Sequence, residues 1–253
     1  MIETAIKAAK LAGEKLEYYF ESSLEHYEKE DKSLVTKADL EADEIIINEI
    51  KTSFPNHQIL SEEKGEVGSK SDYLWIIDPL DGTHNFARGI PIFCTSIALI
   101  YKRETIVSVV YYPPTNALFT AEKGKGAYWN GERIQVSDPS DLSKTLVSLG
   151  RGKEPKDKQA MLKIINSLYE KVRSIRLLMS ASLELAYVAE GRIDAFAVLG
   201  LKSWDFIGGL LLVEEAGGKV TDFTGKKWNL DSSYVLASNG KIHDQLLETL
   251  DTD

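Results

Sequence analysis

Apolar residues recur at helical spacing in two segments near the N-terminus of the 253-residue chain. The positions that share this spacing are Ile2, Ile6, Ala9, Leu16, Tyr19 and Phe20 in the first segment, and Leu40, Ile46, Ile50 and Phe54 in the second. Residues three or four apart lie on the same face of an α-helix. The pattern therefore predicts two long helices, each with one apolar face.

Short apolar runs follow at 58–60 and 73–77, and both lead into acidic residues. Such runs predict buried strands that deliver carboxylates at their ends. Four further runs are rich in β-branched and aromatic residues, at 94–100, 105–112, 117–121 and 133–136. They predict an antiparallel meander, and Asn130-Gly131 supplies the positive φ angles of a tight hairpin turn.

The second half of the chain alternates between strand-like and helical patterns. Strand-like runs lie at 146–148, 175–178, 195–198 and 235–237, and helical segments lie at 156–172, 182–190, 206–216 and 243–250. This alternation predicts a layered α/β arrangement. Because there is no repeat or low-complexity linker, the best candidate boundary is 137–141. We therefore expect an N-terminal α+β half, 1–138, and a C-terminal α/β half, 139–253.

Composition narrows the classes of partner. The chain has 39 acidic and 30 basic residues, for a formal net charge of −9 at pH 7. This charge argues against nucleic acid as the main partner, because neutralising phosphates needs a basic surface. The apolar runs are too short for a membrane span, and the N-terminus lacks the pattern of a signal peptide. Cys94 is the single cysteine, and we expect it to be buried in a protein of the reducing cytoplasm.

The strongest chemical signal is segment 75–83, where two carboxylates, Asp78 and Asp81, follow an apolar run. A strand end would hold Asp78 rigidly. Pro79 fixes its own φ at about −65°, which would redirect the chain and return Asp81 to the same place. The carbonyl of Leu80 would add a third oxygen. Such hard oxygen ligands suit Mg²⁺ or Mn²⁺ and suit zinc poorly.

Gly82 and Thr83 come next. If a helix begins there, their N–H groups form an anion-binding turn suited to phosphate. The ordinary alternative is an Asp-Pro/Asp-Gly turn whose acids face water. Phosphatases of the haloacid dehalogenase type end a strand in Asp-x-Asp-Gly-Thr, but here one more residue separates the two carboxylates. That spacing turns the side chains in different directions and disfavours an aspartyl-phosphate intermediate.

Other acids stand at similar positions, and each has an ordinary alternative. Glu62 and Glu63 follow the run at 58–60 but could form a solvated loop. Asp205 begins an apolar helix, where an N-cap aspartate is common. Asp39 fits a capping box after Thr36. The four histidines show no metal-ligand spacing, which excludes a zinc motif of the usual kind.

Four motifs occur in one order along the chain: 35–39 (Val-Thr-Lys-Ala-Asp), 61–63 (Ser-Glu-Glu), 75–86, and 204–205 followed by 214–218. Together they resemble the inositol monophosphatase family of Mg²⁺-dependent, lithium-sensitive sugar phosphatases, over nearly the whole chain. The resemblance implies a layered αβαβα sandwich, usually a homodimer, with the active site between the halves. The N-terminal half would carry most metal ligands, and the C-terminal half would carry Asp205 and the substrate contacts.

The same resemblance assigns roles to individual residues. It implies that one Mg²⁺ is held by Glu62, Asp78, the Leu80 carbonyl and Asp81, and a second by Asp78, Asp81 and Asp205. Glu62 would also serve a third, weaker site. Thr83 and Asp39 would orient the attacking water, while the N–H groups of Gly82 and Thr83 would hold the phosphate. Lithium would inhibit by occupying the second site, and no covalent enzyme intermediate would form.

Substrate contacts are implied at fewer positions. An ungapped count places Val198 where animal inositol phosphatases have a glutamate that binds inositol hydroxyls. Ala181 matches the family's small residue beside the ring. Arg173, Arg176 and Lys202 are placed to meet a second phosphate, with solvated surface charges as the alternative. This pattern resembles the archaeal-type members that act on inositol 1-phosphate and fructose 1,6-bisphosphate, which is the leading hypothesis.

Two alternatives remain open. A phosphatase for 3′-phosphoadenosine nucleotides would use the same metal motifs, although 180–184 offers no distinctive aromatic platform for adenine. A non-catalytic module would use the acids only to bind a metal or an RNA-associated partner. The presence of Thr83 and Asp39 argues against the second, because metal binding alone needs no pair of water-orienting residues.

Overall fold

The computed structural model describes residues 1–20, 26–28, 34–230 and 232–250, with only the backbone of 26–28 and 34–36. The helices in these residues are α1 (Ile2–Phe20), α2 (Lys37–Ser53), α3 (Thr83–Phe86), α4 (Pro155–Leu168), α5 (Ala181–Ala189), α6 (Ser203–Glu215) and α7 (His243–Leu250). The two long N-terminal helices are confirmed, and α7 has the predicted bounds. The side chain of Thr36, proposed as a helix cap, lies outside the described part.

Most strands belong to two sheets. The strands are β1 (His26–Glu28), β2 (Leu34–Thr36), β3 (Gln58–Ser61), β4 (Gly65–Val67), β5 (Tyr73–Asp81), β6 (Cys94–Tyr101), β7 (Glu104–Tyr112), β8 (Ala117–Glu122), β9 (Gly126–Trp129), β10 (Glu132–Arg133), β11 (Leu146–Arg151), β12 (Ser174–Arg176), β13 (Ala195–Leu199), β14 (Lys219–Asp222) and β15 (Tyr234–Ser238). The large sheet has the order β10-β9-β8-β7-β6-β5-β3-β4, and the smaller sheet β12-β11-β13-β15-β14. In the large sheet β3 and β5 are parallel, and β5 to β10 form an antiparallel meander in which β6, β7 and β8 confirm the predicted runs at 94–100, 105–112 and 117–121.

The predicted strand at 133–136 is wrong beyond Arg133. The Val136 N–H donates to the Ala216 carbonyl just after α6, so the chain has left the sheet edge there. The helix predicted to reach residue 172 ends at Leu168. The predicted hairpin turn is confirmed, because Asn130 and Gly131 both have positive φ, 49° and 85°, between β9 and β10.

The two faces of the large sheet pack against different helices. Alternate residues of β5 divide between them: Trp75 and Ile77 pack with α1 and α2, where Leu16 and Ile46 are fully buried. Ile76 points to the opposite face and packs with α5 and α6. This period-two division is what a strand buried on both sides requires.

The smaller sheet adds the remaining layers. Phe196 on β13 packs against the helix layer that contains Leu210 of α6. Leu199, on the opposite face of the smaller sheet, packs with Ile164 of α4 and Leu246 of α7. The order of layers is therefore helices, large sheet, helices, small sheet, helices, which confirms the expected αβαβα sandwich. Among the helices of the described residues, none has the length and apolar character needed to cross a membrane.

The central helix α6 is approached closely on two sides. A Cβ atom at Gly208 would overlap the hydroxyl of Ser96 on the large sheet, and a Cβ at Gly209 would overlap Leu185 on α5. The Ser108 hydroxyl also donates to the Gly208 carbonyl. Two adjacent glycines therefore seat α6 between the sheet and α5, and this contact fixes the position of Asp205.

Candidate active site

Three carboxylates from three separate elements form a cluster. Glu62 follows β3, Asp78 lies in β5, and Asp205 lies in the first turn of α6; one oxygen of each lies within 4.8 Å of the others. Because β3 and β5 are parallel, their carboxyl ends meet at one edge of the sheet. The Glu62 N–H donates to the Ile77 carbonyl at 3.2 Å, which places Glu62 beside Asp78.

The segment from Asp78 to Asp81 contains an irregularity in the pairing of β5 with β6. Asp78 Oδ1 accepts from the Leu80 N–H at 3.1 Å, and the Thr95 hydroxyl donates to the Pro79 carbonyl at 2.9 Å. The strand β5 continues through Pro79 to Asp81, and its register against β6 shifts between the two aspartates. Asp81 lines the same cavity as Asp78.

Asp81 lies against the start of α5, which is 100 residues away along the chain. Its Oδ2 accepts from the Ser180 hydroxyl at 2.9 Å and from the Ser182 N–H at 2.8 Å, and its Oδ1 accepts from the Ala181 N–H at 3.1 Å. The Cys94 thiol approaches at 3.6 Å. The buried carboxylate is therefore hydrogen-bonded and faces the positive end of a helix dipole. Ala181, expected beside the substrate, lines the cavity here.

Gly82 and Thr83 form the turn that follows. The short helix α3 begins at Thr83, and Gly82 has φ 93°, in the left-handed region that favours glycine. A Cβ at Gly82 would lie 2.6 Å from the Ile92 carbonyl oxygen. The Thr83 hydroxyl donates to the Leu80 carbonyl at 3.0 Å. Gly82, Thr83 and Leu80 all line the cavity, so the backbone predicted to bind an anion is in place.

Asp205 is not the N-cap that the simplest interpretation gives. The helix begins at Ser203, so Asp205 is the third helical residue, and its Oδ2 accepts from the Lys202 N–H at 2.7 Å. Asp39 is buried in the first turn of α2. It is close enough to Asp78 for its charge to raise the pKa of that carboxyl, but it is not among the residues lining the cavity.

The cluster accumulates negative charge in a buried place. Burial and then the charges of Glu62 and Asp81 hold the pKa of Asp78 well above its usual value. Burial and Glu62 raise the pKa of Asp205 to about 8, while Lys153 opposes the shift. Burial also raises the pKa of Asp81, although hydrogen bonds from Ser180, Ser182 and Ala181 oppose it. Crowded carboxylates of this kind fit a divalent cation, which would stabilise their charged forms.

The three clustered carboxylates line a cavity of about 500 Å³, which lies between the two sheets. Besides the residues already described, its lining includes His84, Gly150, Arg151, Gly152, Lys153, Glu154, Met179, Ser180, Glu184, Gly200, Leu201, Lys202 and Trp204. Sequence reasoning missed Arg151 and Lys153. The available signal was their position within five residues of the end of the predicted strand at 146–148. They put cationic groups in the same cavity as the acids.

Two expected substrate contacts lie elsewhere. Arg173 and Arg176 are exposed and are not among the lining residues, and Arg176 donates to the Ile175 carbonyl beside it. Lys202 does line the cavity. Val198, the position that the resemblance aligns with an inositol-binding glutamate, is not among the lining residues either. It is fully buried in the core between the sheets, because its position on β13 turns it toward α5 and α6.

Comparison with known proteins identifies relatives over the whole chain. The family model described as the inositol monophosphatase family matches residues 1–252. A protein named Nus factor SuhB from Salmonella typhimurium is 41% identical over 254 residues, covering 99% of this chain and 95% of that protein. A Thermotoga maritima protein named fructose-1,6-bisphosphatase/inositol-1-monophosphatase is 42% identical over 219 residues, covering 87% of this chain and 83% of that protein.

A solved structure agrees with the fold. The crystal structure of the extragenic suppressor protein suhB from Bartonella henselae superposes with a TM-score of 0.94 at 36% identity. The match covers 99% of this chain and 98% of that one. The five-layer arrangement is therefore shared along the full length of both chains.

Proposed function

The chain belongs to the inositol monophosphatase family, and from this premise we propose that it is a Mg²⁺-dependent phosphomonoesterase. The observation that carries the proposal is the cluster of Glu62, Asp78 and Asp205 in one cavity with the Gly82-Thr83 turn. Oxygen ligands from carboxylates suit a hard divalent cation, and backbone N–H groups at a turn suit a phosphate. The cavity thus combines ligands for the metal ion with donors for the phosphate group.

The oxygen atoms at this end of the cavity are the proposed metal ligands. Glu62, Asp78, the Leu80 carbonyl and Asp81 would hold one ion, and Asp78, Asp81 and Asp205 a second. Asp81 can take part because, among the described hydrogen bonds, its Oδ1 accepts only from the Ala181 N–H, and a carboxylate oxygen has two acceptor positions. Bound Mg²⁺ supplies a polarised water and stabilises the leaving oxygen.

The chain's own residues would orient the water and the phosphate. The Thr83 hydroxyl donates its hydrogen bond to the Leu80 carbonyl, so its oxygen remains able to accept a hydrogen bond from water. Asp39 would serve as the second orienting group, as the resemblance implies. The N–H groups of Gly82 and Thr83 would bind phosphate oxygens in the cavity.

For the substrate, we favour inositol 1-phosphate and fructose 1,6-bisphosphate. Arg151, Lys153 and Lys202 line the cavity together with the acids, which supports a substrate with a second anionic group. The Thermotoga relative carries both activities in its name. Arg173 and Arg176 lie outside the lining of the cavity. We therefore assign the second phosphate of the substrate to the three cationic side chains that line the cavity.

The test is phosphate release from inositol 1-phosphate, fructose 1,6-bisphosphate and 3′-phosphoadenosine 5′-phosphate, with Mg²⁺, with Mn²⁺, and with added Li⁺. Mg²⁺-dependent hydrolysis of the first two, inhibited by Li⁺, is the expected result. Hydrolysis of the nucleotide alone would replace the substrate assignment with a 3′(2′),5′-bisphosphate nucleotidase. No release from any phosphomonoester would refute the enzyme proposal.

The relatives named Nus factor SuhB favour a second candidate function. That name indicates a partner in transcription, so a non-catalytic role with an RNA-associated partner is retained. The net charge of −9 argues against direct binding to RNA by this chain alone. Fluorescence anisotropy with labelled RNA at two salt concentrations tests this: the expected result is no binding, and salt-sensitive binding would favour a direct role.

Assembly and location complete the proposal. The family resemblance supports a homodimer, and sedimentation velocity of the full chain should give twice the mass of one chain. Cys94 is buried and is not in a disulfide, which agrees with a cytoplasmic protein. A monomer at micromolar concentration would contradict the assembly without affecting the catalytic proposal.

A further inference from the structure

Glu184 is a fully buried carboxylate to which the proposed reaction gives no role. It lies on α5, and its Oε1 accepts from the Ser148 hydroxyl on β11 and from the Leu178 N–H at 3.1 Å. Its Oε2 accepts from the Ser180 N–H at 3.4 Å. One side chain therefore connects a strand of the smaller sheet with the segment that leads into α5.

The Leu178 peptide is held from its other side as well. Asn85 on α3 donates from Nδ2 to the Leu178 carbonyl at 2.8 Å and to the Ile92 carbonyl at 2.9 Å. Glu184 thus binds the N–H of Leu178 while Asn85 binds its carbonyl. The two anchors come from opposite halves of the chain, and both act on the same short segment.

That segment contains a conformation that needs support. Met179 has φ 62°, in the left-handed region, which non-glycine residues adopt only where the surrounding structure holds them. Directly after it come the three donors to Asp81: the Ser180 hydroxyl and the N–H groups of Ala181 and Ser182. A small movement of residues 178–180 would displace all three donors together.

We propose that Glu184 is a positioning residue, which with Asn85 holds segment 178–180 so that the start of α5 fixes the orientation of Asp81 as a metal ligand. This inference rests on the proposed function, because it gives Asp81 a metal to bind. Groups that orient metal ligands affect affinity or activity by about 10–100-fold when they are removed. Glu184 acts through the segment and not by touching the phosphate.

Asp194 supplies a matched control. It is also a buried carboxylate, and it also accepts from a serine hydroxyl and a backbone N–H: those of Ser137 at 2.5 Å and Leu146 at 2.6 Å. It directly precedes β13, binds the first residue of β11, and is not among the residues lining the cavity. Its loss should therefore cost stability without affecting Asp81.

The experiment compares Glu184→Ala, Glu184→Gln, Asn85→Ala and Asp194→Asn in the full chain. Calorimetry with Mn²⁺ gives metal affinity without any need for turnover, and the Mg²⁺ dependence of kcat with inositol 1-phosphate gives activity. Glu184→Ala should weaken Mn²⁺ binding about tenfold. Glu184→Gln, which keeps one acceptor oxygen, should recover part of that loss, and Asp194→Asn should leave metal affinity unchanged.

A double-mutant cycle makes the test specific. Because Glu184 and Asn85 hold the same peptide, the loss in the double variant should be smaller than the product of the two single losses. Should Glu184→Ala fail to fold, Glu184→Gln and Asn85→Ala carry the same comparison. Unchanged Mn²⁺ affinity in Glu184→Gln and Asn85→Ala, with a loss of melting temperature like that of Asp194→Asn, would overturn the proposal.

The two proposals can fail separately. If the unmodified protein binds Mn²⁺ but hydrolyses no phosphomonoester, the proposed function fails, while the Mn²⁺ affinities of the variants still decide the role of Glu184. If the unmodified protein is active and the Glu184 variants bind metal normally, only the positioning role fails.

Discussion

Asp78 and Asp81 are three residues apart at the end of one strand, yet their surroundings are opposite. Asp78 lies among other carboxylates, and the charges of Glu62, Asp81 and Asp205 all raise its pKa. Asp81 is equally buried but accepts hydrogen bonds from Ser180, Ala181 and Ser182, which lower its pKa against the effect of burial. The protein therefore offsets part of the charge of Asp81 with three donors of α5 and its N-terminal side, whereas Asp78 has fewer donors and more like charges around it.

This difference separates two functions of buried charge. A carboxylate held by fixed donors has one orientation whether or not a ligand is present, so it is already oriented for the metal ion before the ion binds. A carboxylate surrounded by like charges is destabilising until a cation binds, and its unfavourable energy adds to the affinity for that cation. Replacing either aspartate should therefore lower the activity, but the two replacements should change the stability of the metal-free protein in opposite directions.

Asp81→Asn should have the largest effect. We expect turnover to fall by several orders of magnitude, since the variant removes a ligand charge from the proposed metal site. The amide would also place N–H groups against the donors of α5, and one unsatisfied buried donor costs about 1–3 kcal/mol. Steady-state kinetics and a thermal melt without metal should show both losses. Unchanged turnover at saturating Mg²⁺ would refute the assignment of Asp81.

Asp78→Asn should lose turnover to a similar extent but gain stability in the absence of metal. The amide keeps an oxygen that can accept from the Leu80 N–H, while the repulsion from Glu62 and Asp205 disappears. The melting temperature of the metal-free variant should therefore be higher than that of the unmodified protein. A lower melting temperature of the metal-free variant would show that favourable contacts hold Asp78 as they hold Asp81. The proposed difference between the two aspartates would then be wrong.

Thr83→Ala should have an intermediate effect that leaves both aspartates intact. The hydroxyl is proposed to orient water, so its loss should lower kcat by about a hundredfold. Mn²⁺ affinity measured by calorimetry should stay within a factor of two or so of the original, since no ligand charge changes. Thr83→Ser keeps the hydroxyl and is the matched control. If the serine variant is as slow as the alanine variant, the hydroxyl does not act as proposed.

Local patterns were enough to predict the parts of this arrangement that depend on nearby residues. The period of apolar positions located α1, α2 and α7, and the motif at 75–83 located Asp78, Asp81 and the start of α3. The strands β9 and β14 were missed because Gly126–Trp129 and Lys219–Asp222 are short and start with residues that disfavour strands.

Contacts between distant segments could not be read from the sequence. The donors to Asp81 come from residues 180–182, and they reach it because the two sheets pack against the same pair of helices. The same packing brings Arg151 and Lys153 to the cavity and keeps Arg173 and Arg176 out of its lining. For Val198 the count along the chain gives a position only, and the packing of the sheet decides that its side chain points into the core.

The smallest effect that we predict is a pH dependence of the metal-free protein. Burial holds the pKa of Asp205 at about 8, against an ordinary value of 3.8, and raises the pKa of Asp78 as well. The folded state therefore binds more protons than the unfolded state in this range, and stability must fall as the pH rises. His243 has a pKa lowered to about 4 from 6.5, which gives the opposite trend, but only below its ordinary value.

The informative window therefore lies between pH 6.5 and about 8. Over this window the melting temperature of the metal-free protein should fall by roughly 5 °C, and saturating Mg²⁺ should remove much of the slope. Part of the slope should persist, because Glu184, with a pKa raised to about 8, is not a proposed metal ligand. Asp205→Asn should flatten the metal-free curve. A metal-free melting temperature that stays constant or rises with pH would mean that the acids around Asp78 are already compensated, and the contrast with Asp81 would not hold.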